Sequence, residues 1–178
     1  ADLIGFHAYD YVRHFLSSCR RVAGIENTSG TLSVDGRIVQ VDAFPLGIDY
    51  ARYRDAARKP SVRASVESLA AEKGHDGCKV MLSVERLDYS KGIPERLDAF
   101  DAFLDRHPEW AGRVVLMLVT VPSRENVASY RALKKRIDEL VGLINGKHST
   151  MDWTPVAYYS RALPFDQLVS LYAASDVM

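Results

Sequence analysis

Six consecutive apolar residues, Val114-Val115-Leu116-Met117-Leu118-Val119, stand between two segments of helical periodicity and restrict this chain to few folds. A strand with one face in water alternates apolar and polar side chains. An unbroken apolar run needs cover on both faces, as in a parallel sheet flanked by helices. The surrounding sequence repeats the arrangement. Val80-Met81-Leu82-Ser83-Val84 predicts a second buried strand, preceded by a helix from about Pro60 to Lys73 and a loop, Gly74-His75-Asp76-Gly77. A helix from Pro94 to Arg106 carries Leu97, Phe100 and Leu104 on one face and stops at His107-Pro108. A longer helix is expected from about Arg124 to Ile144, with Tyr130, Leu133, Ile137, Leu140 and Ile144 inward and Asn145-Gly146 as its C-cap. A strand from Val156 to Tyr159, a helix from Phe165 to Ala173 and the opening of a last strand at Ser175-Asp176-Val177-Met178 continue the alternation. The class is α/β: from about residue 50 the alternation predicts a doubly wound parallel sheet of right-handed βαβ units.

Residues 1–48 have another texture. Leu3-Ile4-Gly5-Phe6 predicts a short strand, and Tyr9 to Val22 a helix that turns Tyr11, Phe15, Leu16 and Cys19 inward. Thr31 to Val41 alternates around Asp35-Gly36, with Leu32 and Val34 before the turn and Ile38 and Val41 after it, which predicts a hairpin. Ala43 to Asp49 reads as a strand end and linker. Ala1 is not Met, and the last four residues look like the start of a strand, so an excerpt of a longer protein is expected.

Composition narrows the function classes. The 23 basic and 23 acidic residues cancel, leaving no global field for nucleic acid or an anionic membrane. Arg20-Arg21 and Lys134-Lys135-Arg136 read as solvated helix faces. No apolar stretch approaches the ~20 residues of a membrane helix. Two distant cysteines and five scattered histidines form no metal-binding pattern, and a reducing, cytoplasmic setting fits them.

Chemistry concentrates where strands hand over to helices. Ser83-Val84-Glu85-Arg86-Leu87-Asp88-Tyr89-Ser90-Lys91-Gly92, followed by Ile93-Pro94, places Arg86 and Lys91 in a loop that opens on a helix N-terminus. Free N–H groups and the positive end of the helix dipole favour an anion there, and Pro94 suits a first turn. Arg86 can fork onto two phosphate oxygens, and Lys91 can add a point charge. The competing reading pairs Arg86 with Glu85 or Asp88. Val121-Pro122-Ser123-Arg124-Glu125 repeats the plan: Ser123 is placed to cap the following helix, and Arg124 stands in its first turn. Alone, Arg124 would pair with Glu125 or solvent. Neighbouring strand ends bring Arg86 and Arg124 within reach of one crevice.

The decapeptide resembles the donor-binding loop of trehalose-6-phosphate synthases, retaining glycosyltransferases with two facing Rossmann-like domains, the GT-B architecture. Leu3-Ile4-Gly5-Phe6-His7, Val121-Pro122-Ser123-Arg124, Ile144-Asn145-Gly146-Lys147, Trp153-Thr154-Pro155 and the closing Pro164-Phe165 to Ser175-Asp176-Val177 stand in that family's order and spacing. The resemblance implies that residues 1–48 are a remnant of the N-terminal domain with its linker and residues 49–178 part of the nucleotide-sugar-binding C-terminal domain. It implies that Arg86 and Lys91 hold the diphosphate of UDP-glucose and stabilise it as leaving group. Arg124 would contact the phosphate of glucose 6-phosphate, and Leu163 the uracil, unless Leu163 is a plain core leucine. The implied products are trehalose 6-phosphate and UDP, with no metal or other cofactor. A homo-oligomer, or a trehalose-phosphatase domain or subunit, would be the protein partner; no nucleic acid or membrane is implied. A related sugar-phosphate transferase, such as one making glucosylglycerol phosphate, and a non-catalytic regulatory homologue are the competing readings. His7 falls outside the family's active-site histidine motif and is expected to be structural. Trp110, Trp153, Tyr158 and Tyr159 are expected to pack.

Overall fold

A computed structural model describes residues 1–72, 77–124 and 126–178, so Lys73 and most of the predicted loop after it lie outside the described residues. The chain divides into two compact units, Ala1–Tyr50 and Ala51–Met178.

The first unit contains β1 (Leu3–Phe6), α1 (Tyr9–Ala23), β2 (Asn27–Thr28), β3 (Thr31–Val34) and β4 (Arg37–Ala43), in a sheet ordered β1-β4-β3-β2. The β3–β4 hairpin turns through Asp35 and Gly36 with φ of 51° and 75°, the left-handed pair that matches strand twist. Val39, not Ile38, faces the core. Val39 is paired with Leu32 and lies two residues from Val41, whereas Ile38 is exposed. In α1 the buried position is Val12, and Tyr11 is exposed. Phe15, Leu16 and Cys19 pack against the core as expected. His7 Nδ1 accepts the Leu46 backbone N–H at 3.0 Å, which fixes the chain leaving the sheet and gives His7 its structural role.

Helix α2 (Tyr50–Ala57) starts at the boundary, and the second unit continues with α3 (Pro60–Glu72), β5 (Lys79–Arg86), α4 (Ile93–Arg106), β6 (Val114–Val121), α5 (Ala128–His148), β7 (Val156–Tyr159) and α6 (Phe165–Ala174). Helix α2 has no apolar stripe in the sequence, only Ala56 being buried, and so escapes the periodicity argument. Strands β5, β6 and β7 are parallel and in that order, and Val177 bridges Met81 on the other side of β5. Successive β6 residues face opposite ways. Leu116 points to the side of Phe100 on α4, and Met117 to the side of Leu69 on α3 and Leu171 on α6. Residues 114–120 are buried without a break, which is why the sequence shows no alternation.

Trp153 is buried beside β6, and its indole N–H donates to the Val114 carbonyl at 2.9 Å. Trp153→Phe in the full-length protein is expected to cost about 1–3 kcal/mol, because the Val114 carbonyl stays buried without its partner. A lowered thermal midpoint checks it.

Helix α5 departs from expectation at both ends. It begins at Ala128, with Val127 at the N-cap, so neither Ser123 caps it nor Arg124 joins its first turn; Arg124 has φ of 51° and lies in the loop. Its C-cap is Ser149, with Gly146 inside the helix. The last turn continues because Lys147 and His148 dock on α4. Lys147 Nζ lies 3.1 Å from Asp101 and 2.6 Å from Asp105, and His148 Nε2 lies 2.7 Å from Asp101. One histidine is therefore clustered with carboxylates after all. The groups converge from two helices, and Lys147 supplies the positive charge between them.

Burial pushes the Asp101 carboxyl up, but the hydrogen bonds and charges of His148 and Lys147 outweigh it and hold the group below its ordinary value. A carboxyl depressed on folding contributes stability above its unfolded value of about 3.9, lost as pH falls through the lower folded value. Asp101→Asn is thus expected to lower stability slightly at neutral pH. The difference from the unaltered protein should vanish in strong acid, as acid titrations of the unfolding midpoint would show.

Candidate functional site

Arg86 is the last residue of β5 and stands in register with Val121, the last residue of β6. The adjacent strand ends therefore launch both loops from one sheet edge, and the Leu87 N–H donates to the Val121 carbonyl at 2.8 Å to hold them together. After Arg86 the chain makes one tight turn, Tyr89–Lys91, before Gly92 and α4. Asp88 shapes that turn: its Oδ1 accepts the Ser90 N–H at 3.0 Å and the Ser90 hydroxyl at 2.8 Å. Gly92, with φ of 60°, takes the left-handed step that a side chain would resist, and α4 starts at once with Pro94 in its first turn. Pro94 has no N–H and the Arg96 N–H is bonded to the Gly92 carbonyl at 3.0 Å, so the first-turn donors without an intrahelical acceptor are those of Ile93 and Glu95, directly after Lys91-Gly92 in the chain.

Four cations surround this edge. Arg86 Nη2 lies 3.6 Å from Asp88, and Lys91 Nζ lies 3.6 Å from Glu85. Glu85 also lies 3.7 Å from Arg96, which bonds Ser83 Oγ and donates to the Lys91 carbonyl at 3.4 Å. Arg124 donates to the Tyr130 hydroxyl at 2.8 Å, and that hydroxyl donates to Asp88 Oδ2 at 3.4 Å. Asp88 serves as the expected partner of Arg86, while Glu85 belongs to Lys91 and Arg96. Among the described residues, Asp88 and Glu85 are the carboxylates paired with these cations, and Glu95 adds a third in the first turn of α4, against the four positive charges of Arg86, Lys91, Arg96 and Arg124. Arg86 keeps a side chain 62% exposed, so its guanidinium is accessible to a ligand despite the pair with Asp88.

Asp88 is buried, and its charge is secured locally. The Ser90 backbone N–H and then the Ser90 hydroxyl hold its carboxyl below the usual range, with Tyr130 and Arg86 adding to the effect and burial opposing it. It therefore remains an anion at neutral pH, a fixed counter-charge rather than a proton donor.

Leu163 lies on the loop that leaves the C-terminal end of β7, the parallel neighbour of β6. It is half-buried on the β7–α6 loop and lines a cavity of about 250 Å³ with Met117, Tyr159, Arg161 and Gln167. Sequence reasoning did not single out Arg96 or Tyr130 for the site. Arg96 follows Pro94 by two residues in the first turn, a cation set against the helix dipole, and that was the available signal. Tyr130 carried none, since its position in the apolar stripe of α5 accounts for it as a core residue.

The profile of glycosyltransferase family 20 matches residues 1–178. The chain belongs to glycosyltransferase family 20. Among relatives of this family 20 chain, the UDP-forming alpha,alpha-trehalose-phosphate synthase 2 of Aspergillus fumigatus is 50% identical over 175 residues, covering 98% of the chain and 36% of the relative. An E. coli trehalose-6-phosphate structure bound with UDP-2-fluoro glucose superimposes with a TM-score of 0.88 at 28% identity, over 99% of the chain and 39% of its own. A UDP-forming alpha,alpha-trehalose-phosphate synthase from Burkholderia xenovorans in complex with glucose-6-phosphate gives 0.86 at 27%, over 98% and 39%. This family 20 chain therefore spans little more than a third of the proteins it resembles. Its Rossmann-like α/β architecture agrees with theirs. No helix among the described residues is long and apolar enough to cross a membrane.

Proposed function

We propose that this chain is the donor-diphosphate and acceptor-phosphate segment of a retaining glucosyltransferase that makes trehalose 6-phosphate and UDP from UDP-glucose and glucose 6-phosphate. The observation that carries it is the meeting of Arg86, Lys91 and the α4 N-terminus on the same sheet edge as Arg124. In the reaction the bond from glucose C1 to the UDP oxygen breaks, a bond from C1 to the anomeric oxygen of glucose 6-phosphate forms, and the proton of that anomeric hydroxyl leaves to the released diphosphate or to solvent. Negative charge grows on the departing diphosphate. Arg86, Lys91 and the helix N–H groups are set in advance to meet it, and so act more strongly on the transition state than on the bound donor.

Arg124 takes the acceptor phosphate in this reading, and Leu163 supplies the apolar contact to the uracil. Glu85, tied to Arg96, keeps Lys91 directed along the loop. The setting is cytoplasmic, where both substrates are at hand, and the protein partner is a second copy or a trehalose-phosphatase unit. Proton NMR of the product formed by the full-length protein is the test. Two α-anomeric signals without a reducing end are expected; a β-linkage, or a product built on another acceptor, would overturn the assignment.

A further inference from the structure

We propose that Tyr130 is a positioning residue, joined through Asp88 to Arg86, that aims Arg124 at the acceptor phosphate. The proposal rests on the reading of Arg86 and Arg124 given above. Tyr130 is buried in the first turn of α5, edge-on to Tyr89 at 5.9 Å between ring centroids. Its hydroxyl is the meeting point of the two loops. It accepts from Arg124 Nη1 at 2.8 Å and donates to Asp88 Oδ2 at 3.4 Å, and the same Oδ2 lies 3.6 Å from Arg86 Nη2. The other oxygen of Asp88 is taken by Ser90. One carboxylate oxygen is thus left for both the donor-side guanidinium and the tyrosine.

Arg124 needs such a partner. Its backbone is left-handed, a conformation that non-glycine residues adopt only when surrounding contacts fix it. Among the described residues no carboxylate lies within 4.0 Å of its guanidinium, so the Tyr130 hydroxyl and ring face, the latter at 5.5 Å, are what orient it. A core tyrosine would have its hydroxyl satisfied by any one acceptor. Here the hydroxyl also receives the Arg124 guanidinium, so the anchoring of Tyr130 on Asp88 fixes where that guanidinium points, while Ser90 holds Asp88 on its own.

The test is steady-state kinetics of the full-length protein carrying Tyr130→Phe, which keeps the ring and removes only the hydroxyl. The KM for glucose 6-phosphate is expected to rise about tenfold, the scale of one hydrogen bond to a charged group, while kcat and the KM for UDP-glucose stay within about twofold. Adding Tyr130→Phe to Arg124→Ala should raise the acceptor KM no further, since the tyrosine acts through the arginine. An unchanged acceptor KM in Tyr130→Phe, or additive effects in the double variant, would overturn the positioning role while leaving the functional reading in place. Absence of acceptor-dependent UDP release by the unaltered protein would overturn both.

Discussion

Arg86→Ala in the full-length protein is expected to lower turnover at least ~100-fold, about 3 kcal/mol of barrier, with the fold intact. The side chain lies at the end of β5 with most of its surface exposed, so its removal leaves no cavity in the core. What it removes is a preorganised double donor at the point where the diphosphate would gain charge. The loss should appear in kcat, because the interaction strengthens as the C1–oxygen bond breaks, whereas loss of ordinary binding would appear in KM. The variant also leaves Asp88 without its guanidinium. Ser90 still holds that carboxylate, which argues against collapse of the loop. Kinetics with saturating donor, alongside an unchanged thermal midpoint, are the check; turnover within a few-fold of normal would refute the assignment of Arg86.

Arg124→Ala should act on the other substrate. Its guanidinium rests on neutral Tyr130 and has no carboxylate to satisfy among the described residues, so a phosphate is its natural partner. Loss of one or two charge-assisted hydrogen bonds to the acceptor phosphate, each worth about 1.5–3 kcal/mol, should raise the KM for glucose 6-phosphate by one to two orders of magnitude. Donor binding measured without acceptor should change little. Unphosphorylated glucose should be a poor acceptor for the unaltered protein and should lose almost nothing in the variant, because the interaction assigned to Arg124 is with the phosphate. An equal loss for both sugars would point to a structural role for Arg124.

The two loops that carry Arg86 and Arg124 are legible in the sequence because strand ends are. The apolar runs that become β5 and β6 stop at charged or proline-containing segments, and parallel neighbours deliver their loops to one edge whatever the loops contain. The helix after β6 was less legible at its ends. Its apolar stripe fixes the period through Tyr130, Ile137 and Ile144 but not where the first turn closes, and a left-handed Arg124 leaves no mark in that pattern. At the other end Asn145-Gly146 has the composition of a cap. Tertiary contacts from Lys147 and His148 to Asp101 and Asp105 carry the helix past it. The apolar stripe of α5 accounts for the buried ring of Tyr130 and says nothing about its hydroxyl. Arg96 is similar: its partners Ser83 and Glu85 are more than a helical turn away in sequence and become neighbours only once β5 and α4 are packed.

UDP release by the full-length protein, followed with UDP-glucose and glucose 6-phosphate together and with each alone, tests the assignment of one edge to two phosphates most directly. Release that requires both substrates and yields a non-reducing disaccharide phosphate is the predicted result. Donor binding with release supported only by a different acceptor, or no donor binding at all, would contradict it.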